Sequence, residues 1–110
     1  MIDMKTIRAA AAASLVAAAS SPARVILFGS YARGTADEGS DLDLMVIERE
    51  VPDRAEEYMR LMDAVGRLAP GVGLDLLLYP LSEFERRGQV PGTVLFEARC
   101  EGQVLHDALP

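Results

Sequence analysis

Asp41 and Asp43 stand one residue apart in Ser40-Asp41-Leu42-Asp43-Leu44, at the start of an apolar run, and Asp75 is the only charge in the stretch from Val72 to Pro80. Charge in an apolar strand is expensive unless something pairs with it. Residues two apart on a strand share a face, so Asp41 and Asp43 aim together while Leu42 and Leu44 aim into a core. Neighbouring carboxylates raise each other's proton affinity unless a cation lies between them, and oxygen-only ligands suit a hard ion such as Mg²⁺. If the strand carrying Asp75 lies beside that of the pair, three carboxylates gather over one patch of sheet as a candidate metal site. A plainer alternative explains each acid separately: Asp41 as a loop cap after Gly39-Ser40, Asp43 as a charge on an edge strand, and Asp75 as a solvent-facing residue.

The apolar run Val25-Ile26-Leu27-Phe28 breaks upstream into Gly29-Ser30. Glycine lets a ligand approach the backbone closely and lets amides point at an anion. Ser30 adds a hydroxyl donor, a helical turn starting at Tyr31 would add free amides, and Arg33 brings a guanidinium suited to phosphate oxygens. Taken alone, a Gly-Ser turn is more often just a turn, and Arg33 more often a surface charge. Placed ahead of the paired aspartates, they describe phosphate recognition on one side and metal-binding carboxylates on the other, which is a nucleotide site.

The elements that must hold these residues follow from capping and spacing. Asp3 caps a helix over 4–19, with Ile7, Ala11 and Leu15 on one stripe, and Ser20-Ser21-Pro22 ends it. Strands are predicted over 24–28, 41–47 and 74–79, with the loop and short helical turn of 31–40 between the first two. Pro52-Asp53 opens a second long helix whose apolar residues are Ala55, Tyr58, Met59, Met62 and Leu68, and Pro70-Gly71 closes it. Ser82 and Glu85 have capping-box spacing for a short helix ended by Gly88. After a Pro91-Gly92 turn, 93–101 is helical with Gly102 at its end, and 103–106 forms a brief edge strand. The strands are short apolar runs rather than clean alternations, which predicts an α/β (α+β) fold: a small mixed β-sheet covered by helices on both faces.

At 110 residues, half of them apolar, residues 1–110 read as a single domain that needs no disulfide or structural metal. Eleven Lys and Arg against 17 Asp and Glu leave a net charge of −6, which argues against direct nucleic-acid binding. The lone Cys100 is expected as an inert core thiol, and single-cysteine usage fits a reducing, cytoplasmic setting. The alanine-rich start is too weakly apolar for a secretion signal, and no run is apolar and long enough to span a bilayer. His106 is expected at the surface without a chemical role, Met45, Met59 and Met62 in core gaps, and Arg86-Arg87 at a solvated helix end that is also able to meet an acidic partner. The exposed side of the first helix is the better candidate for association.

In Gly29-Ser30-Tyr31-Ala32-Arg33-Gly34 followed by Ser40-Asp41-Leu42-Asp43-Leu44, the chain resembles the nucleotidyltransferase superfamily that includes DNA polymerase β, and most closely its minimal nucleotidyltransferase branch. The resemblance implies a palm-like nucleotidyltransferase fold in which Gly29 and Ser30, with Arg33, hold the triphosphate of ATP. It implies that Asp41 and Asp43 bind two Mg²⁺ ions and that Asp75 is the third catalytic carboxylate. Asp75 takes that place because no other acid after Asp43 lies inside a predicted strand. It further implies transfer of AMP from ATP to a hydroxyl, with the acceptor supplied from outside the domain. Minimal members are commonly paired with a small helical HEPN protein, often a toxin, and some act as antitoxins by placing AMP on a tyrosine of that partner. Two alternatives stay open: an antitoxin that neutralises its partner by occlusion without catalysis, and nucleotidyl transfer to a small molecule such as an aminoglycoside. Homo-oligomer and hetero-oligomer are both open as well.

Overall fold

Asp3 accepts the amide of Thr6 at 2.8 Å and opens α1 (Met4–Ala18), whose buried residues are Ala11, Ala12 and Leu15. The computed structural model describes residues 3–66, 68 and 73–109. From α1 the chain runs into β1 (Ala23–Phe28), the one-turn helix α2 (Ser30–Arg33), β2 (Leu42–Glu48) and α3 (Arg54–Val65). It continues through β3 (Leu74–Pro80), α4 (Leu81–Arg87), α5 (Val94–Glu101) and β4 (Gln103–Asp107). The sheet order is β3-β2-β1-β4. β1 is antiparallel to both β2 and β4, whereas β2 and β3 are parallel, so the sheet is mixed.

Strand alternation divides the core in two. Val25, Leu27, Leu42, Leu44, Val46, Leu76 and Leu78 face α1 and α3, where Leu15, Leu61 and Val65 meet them. Ile26, Phe28, Met45 and Ile47 face the opposite way, against Phe84 of α4 and Leu95 and Ala98 of α5. Both faces of the sheet are therefore covered, which is why the central strands read as continuous apolar runs.

Several expectations are corrected. In α3 two stripes have helical spacing, and the one that packs is Glu57, Leu61 and Val65; Tyr58 and Met59 are exposed, Met59 at 62%. Met59 therefore fills no core gap, while Met45 does, fully buried, and Met62 packs at the core's margin. Helix α4 starts two residues early: its N-cap is Pro80, without a side-chain bond, so Ser82 caps nothing. Cys100 is exposed, because Leu95 and Ala98 occupy the inner side of α5 and a residue two beyond Ala98 points away. His106 is half-buried beside Arg8 and Ala12 of α1, and its Nε2 is enclosed with no hydrogen-bond partner among the described residues. The expected stop of α3 at Pro70-Gly71 lies outside the described residues. No described helix is long and apolar enough to cross a membrane.

Candidate active site

The parallel register of β2 and β3 sets Asp43 opposite Asp75, and the antiparallel register of β1 and β2 sets Phe28 opposite Asp43. Asp43 and Asp75 thus project from neighbouring strands on the face that also carries Met45, Ile47 and Leu77, at the end of the sheet where β1 gives way to Gly29. β2 is an interior strand, so Asp43 is not an edge-strand charge, whereas Asp75 is exposed on the edge strand β3.

Gly29 has φ 75°, a conformation that favours glycine. A Cβ at that position would collide with the Asp43 carboxylate, so the backbone of the turn and the acid lie directly against each other. Gly73 plays the same part for Asp41: a Cβ there would collide with the Asp41 carboxylate, and the Gly73 carbonyl accepts the Leu42 amide at 2.8 Å. Asp41 stands just before β2 rather than within it and is exposed. The alternation expected to aim Asp41 and Asp43 together therefore does not govern Asp41, which is positioned by its seat against Gly73, whereas Asp43 and Asp75 are brought together by the register between β2 and β3. Gly73 was missed in the sequence; its only signal is a glycine two residues ahead of the anomalous Asp75.

Burial first, then the Asp75 carboxyl beside it, pushes the Asp43 carboxyl up to about 6, with the charges of Asp41 and Glu97 adding to the rise. No described basic side chain forms an ion pair with Asp41, Asp43 or Asp75. Among the described residues no three acidic, histidine or cysteine side chains converge closely enough to hold an ion as they stand. The site is an adjacent pair with one flanking acid. Its donors are carboxylate oxygens, which is the set a hard divalent ion takes.

Ser30 opens α2 directly after Gly29, its hydroxyl unbonded among the described residues. The carbonyl of Gly29 accepts the amides of Ala32 and Arg33, both at 3.1 Å, so the turn is tightly wound. Arg33 leans toward α5, with Nη1 3.5 Å from Glu97 and 3.7 Å from Glu101. Both partners are substantially exposed, and exposed pairs of this kind hold an arginine only weakly.

A glycine-serine turn ends a buried strand and aspartates stand on the next two strands, and the family model for the nucleotidyltransferase domain matches residues 12–99. The chain belongs to that family. Two proteins of Methanocaldococcus jannaschii, each provisionally named a protein adenylyltransferase, are similar to this nucleotidyltransferase domain. One is 40% identical over 58 residues, covering 53% of the chain and 56% of the relative. The other is 67% identical over 30 residues, covering 27% of the chain and 20% of the relative. The matched stretch is thus about half the length of the first relative and a fifth of the second.

Among solved structures, a provisionally assigned nucleotidyltransferase from Sulfolobus solfataricus superposes with a TM-score of 0.60 at 18% identity, covering 94% of this chain and 80% of that one. A toxin-antitoxin structure with AMP-PNP superposes with a TM-score of 0.57 at 23% identity, covering 90% of this chain and 73% of that one. At these identities the likeness is one of fold.

Proposed function

We propose that residues 1–110 form one nucleotidyltransferase domain that transfers AMP from ATP to a hydroxyl, with a tyrosine of a HEPN-type toxin partner as the acceptor. The observation that carries this reading is the pairing of Asp43 with Asp75 across β2 and β3, directly against the Gly29-Ser30 turn. The adenylyltransferase names of the relatives support the reaction class, and the toxin-antitoxin neighbour with AMP-PNP supports a protein partner and an adenine nucleotide.

In this reading Gly29 and Ser30 hold the triphosphate through backbone amides and the free hydroxyl, and Arg33 exchanges its weak contacts with Glu97 and Glu101 for phosphate oxygens. Asp41 and Asp43, with Asp75, would hold two Mg²⁺ ions, and such ions neutralise charge on the phosphates and the departing pyrophosphate. Asp75, exposed on the edge strand, orients the attacking hydroxyl and takes its proton. The hydroxyl oxygen forms the new bond to the α-phosphorus, the α–β bridging bond breaks, and pyrophosphate leaves.

Intact-mass measurement of a HEPN partner incubated with the chain, ATP and Mg²⁺ tests the proposal. The expected result is one added AMP mass with the parent and none with Asp75→Asn, while both still bind the partner. A neutralised partner that carries no added mass would establish occlusion instead. Transfer to an aminoglycoside in the absence of any partner would replace the acceptor.

A further inference from the structure

At the end of β2 opposite Asp43, Glu48 is fully buried and points toward α3, where Glu57 is 7% exposed. Two buried acids facing each other call for a proton or a cation. Their surroundings are asymmetric. Glu57 accepts the Ser20 amide at 2.8 Å and the Ser20 hydroxyl at 2.6 Å, and the Nε of Arg60 lies 3.5 Å away. Glu48 accepts the amide and the hydroxyl of Ser21, each at 3.2 Å, through Oε1 alone. Its Oε2 is enclosed and has no partner among the described residues as an acceptor.

A bare carboxylate oxygen buried without a donor is costly. The cost disappears if Oε2 carries a proton and donates it to the Glu57 carboxylate, the other buried acid, which is anchored on Ser20 next to the Ser21 that holds Glu48. We propose that Glu48 and Glu57 share one proton, and that this proton ties together the end of α1, the end of β2 and the first turns of α3. The site acts as a pH-sensitive latch, independent of the nucleotide site at the other end of the sheet.

Burial and the neighbouring Glu57 push Glu48 well above the ordinary glutamate range, while Glu57, held against its own burial by Glu48, Ser20 and Arg60, is lowered. The pair titrates as one unit. The charges around it are few. Arg60 and Glu56 come from α3, and Asp53 caps that helix. The α1–β1 junction contributes only the uncharged Ser20 and Ser21, and the facing strand positions are Ala23 and Pro80. Arg49 and Glu50, which follow on the chain, are exposed.

The sign of the effect follows. Below the ordinary glutamate range the unfolded chain binds two protons at these positions and the folded pair one, so stability rises with pH. Between that range and the raised value of Glu48 the folded pair keeps a proton that the unfolded chain has lost, so stability falls as pH rises. Above it, two buried carboxylates repel and the junction loosens.

The test is a series of thermal melts of the whole chain from about pH 5 to about pH 8.5, comparing the parent with Glu48→Gln, whose amide donates to Glu57 at every pH. Asp43 titrates in both proteins and cancels in the difference. The expected result is that the variant overtakes the parent as pH rises, melting roughly 5 °C or more higher at the alkaline end. A second readout needs no Glu48 variant to fold: with Asp43→Asn removing the other raised carboxyl, the infrared spectrum near neutral pH should still contain the band of a protonated, buried carboxylic acid. Parallel pH profiles for the two proteins, or absence of that band, would overturn the proposal. So would alkaline stabilisation by Mg²⁺ or Na⁺ that Asp43→Asn retains and Glu48→Gln loses, since a cation would then hold the pair.

Discussion

Asp43 concentrates the electrostatics of the candidate site. Its folded value of about 6 lies above the ordinary aspartate value of 3.8, so the folded state binds its proton more tightly than the unfolded chain does. Stability from this group is fully present below about pH 4 and is lost as pH rises toward 6. Asp43→Asn should accordingly melt no lower than the parent at pH 5 and measurably higher at pH 8, in the absence of metal. Mg²⁺ with ATP should raise the melting temperature of the parent and leave that of the Asp41→Asn/Asp43→Asn double variant unchanged. Equal gains in both proteins would remove these residues from the metal site. Ser30→Ala deletes a hydroxyl that makes no hydrogen bond among the described residues, so the fold should be unaffected. Nucleotide affinity should fall by about tenfold or more, corresponding to a charge-assisted contact worth about 1.5–3 kcal/mol. Titration of Mg²⁺-ATP by calorimetry reads that difference, and His106→Ala should bind as the parent does.

Among the elements, the turn between β1 and α2 and the rotation of α3 matter most. Gly29→Ala would place a Cβ in a left-handed conformation and against the Asp43 carboxylate at once. A cost of about 1–3 kcal/mol in urea unfolding is expected, together with loss of Mg²⁺-dependent stabilisation as Asp43 is displaced. Gly34, also at positive φ but with open space around it, should show the backbone part of that cost without the effect on Mg²⁺. In α3, Leu61→Ala should cost about 2–5 kcal/mol and Met59→Ala almost nothing, because Leu61 is fully buried and Met59 is 62% exposed. Denaturant midpoints for the two variants check the rotation of the helix directly. From the sequence, Ala55, Tyr58, Met59, Met62 and Leu68 are the expected apolar set of this helix, whereas the residues that are buried are Glu57, Leu61 and Val65. An acid is not expected on the inward side; Glu57 sits there because its carboxylate accepts from Ser20 and lies beside Arg60.

At the scale of the whole molecule, the candidate site opens outward: Asp75 is exposed on an edge strand and Asp41 is exposed in the turn before β2. A transfer reaction needs its acceptor oxygen held in line with the reacting phosphate, and an open edge supplies little to hold it. On the proposed function, the chain should therefore bind Mg²⁺-ATP alone yet leave free tyrosine or a generic protein unmodified until the proposed partner is present. Label transfer from ATP, with and without that partner, checks this, and efficient labelling of arbitrary acceptors would contradict it. Much of this organisation was legible along the chain. Asp3, Asp53 and Thr93 act within three residues of themselves, so the starts of α1, α3 and α5 follow from local capping, and the Gly29-Ser30 turn and Asp41-Leu42-Asp43 spacing carried the family. Only the tertiary structure decided that Asp75 faces Asp43, because that depends on the parallel register of two strands separated by a helix, and no local pattern encodes a register between distant segments. It also decided that Cys100 is exposed and that Glu48 meets Glu57. Burial is a property of what packs on a residue, and the packing partners come from elsewhere in the chain.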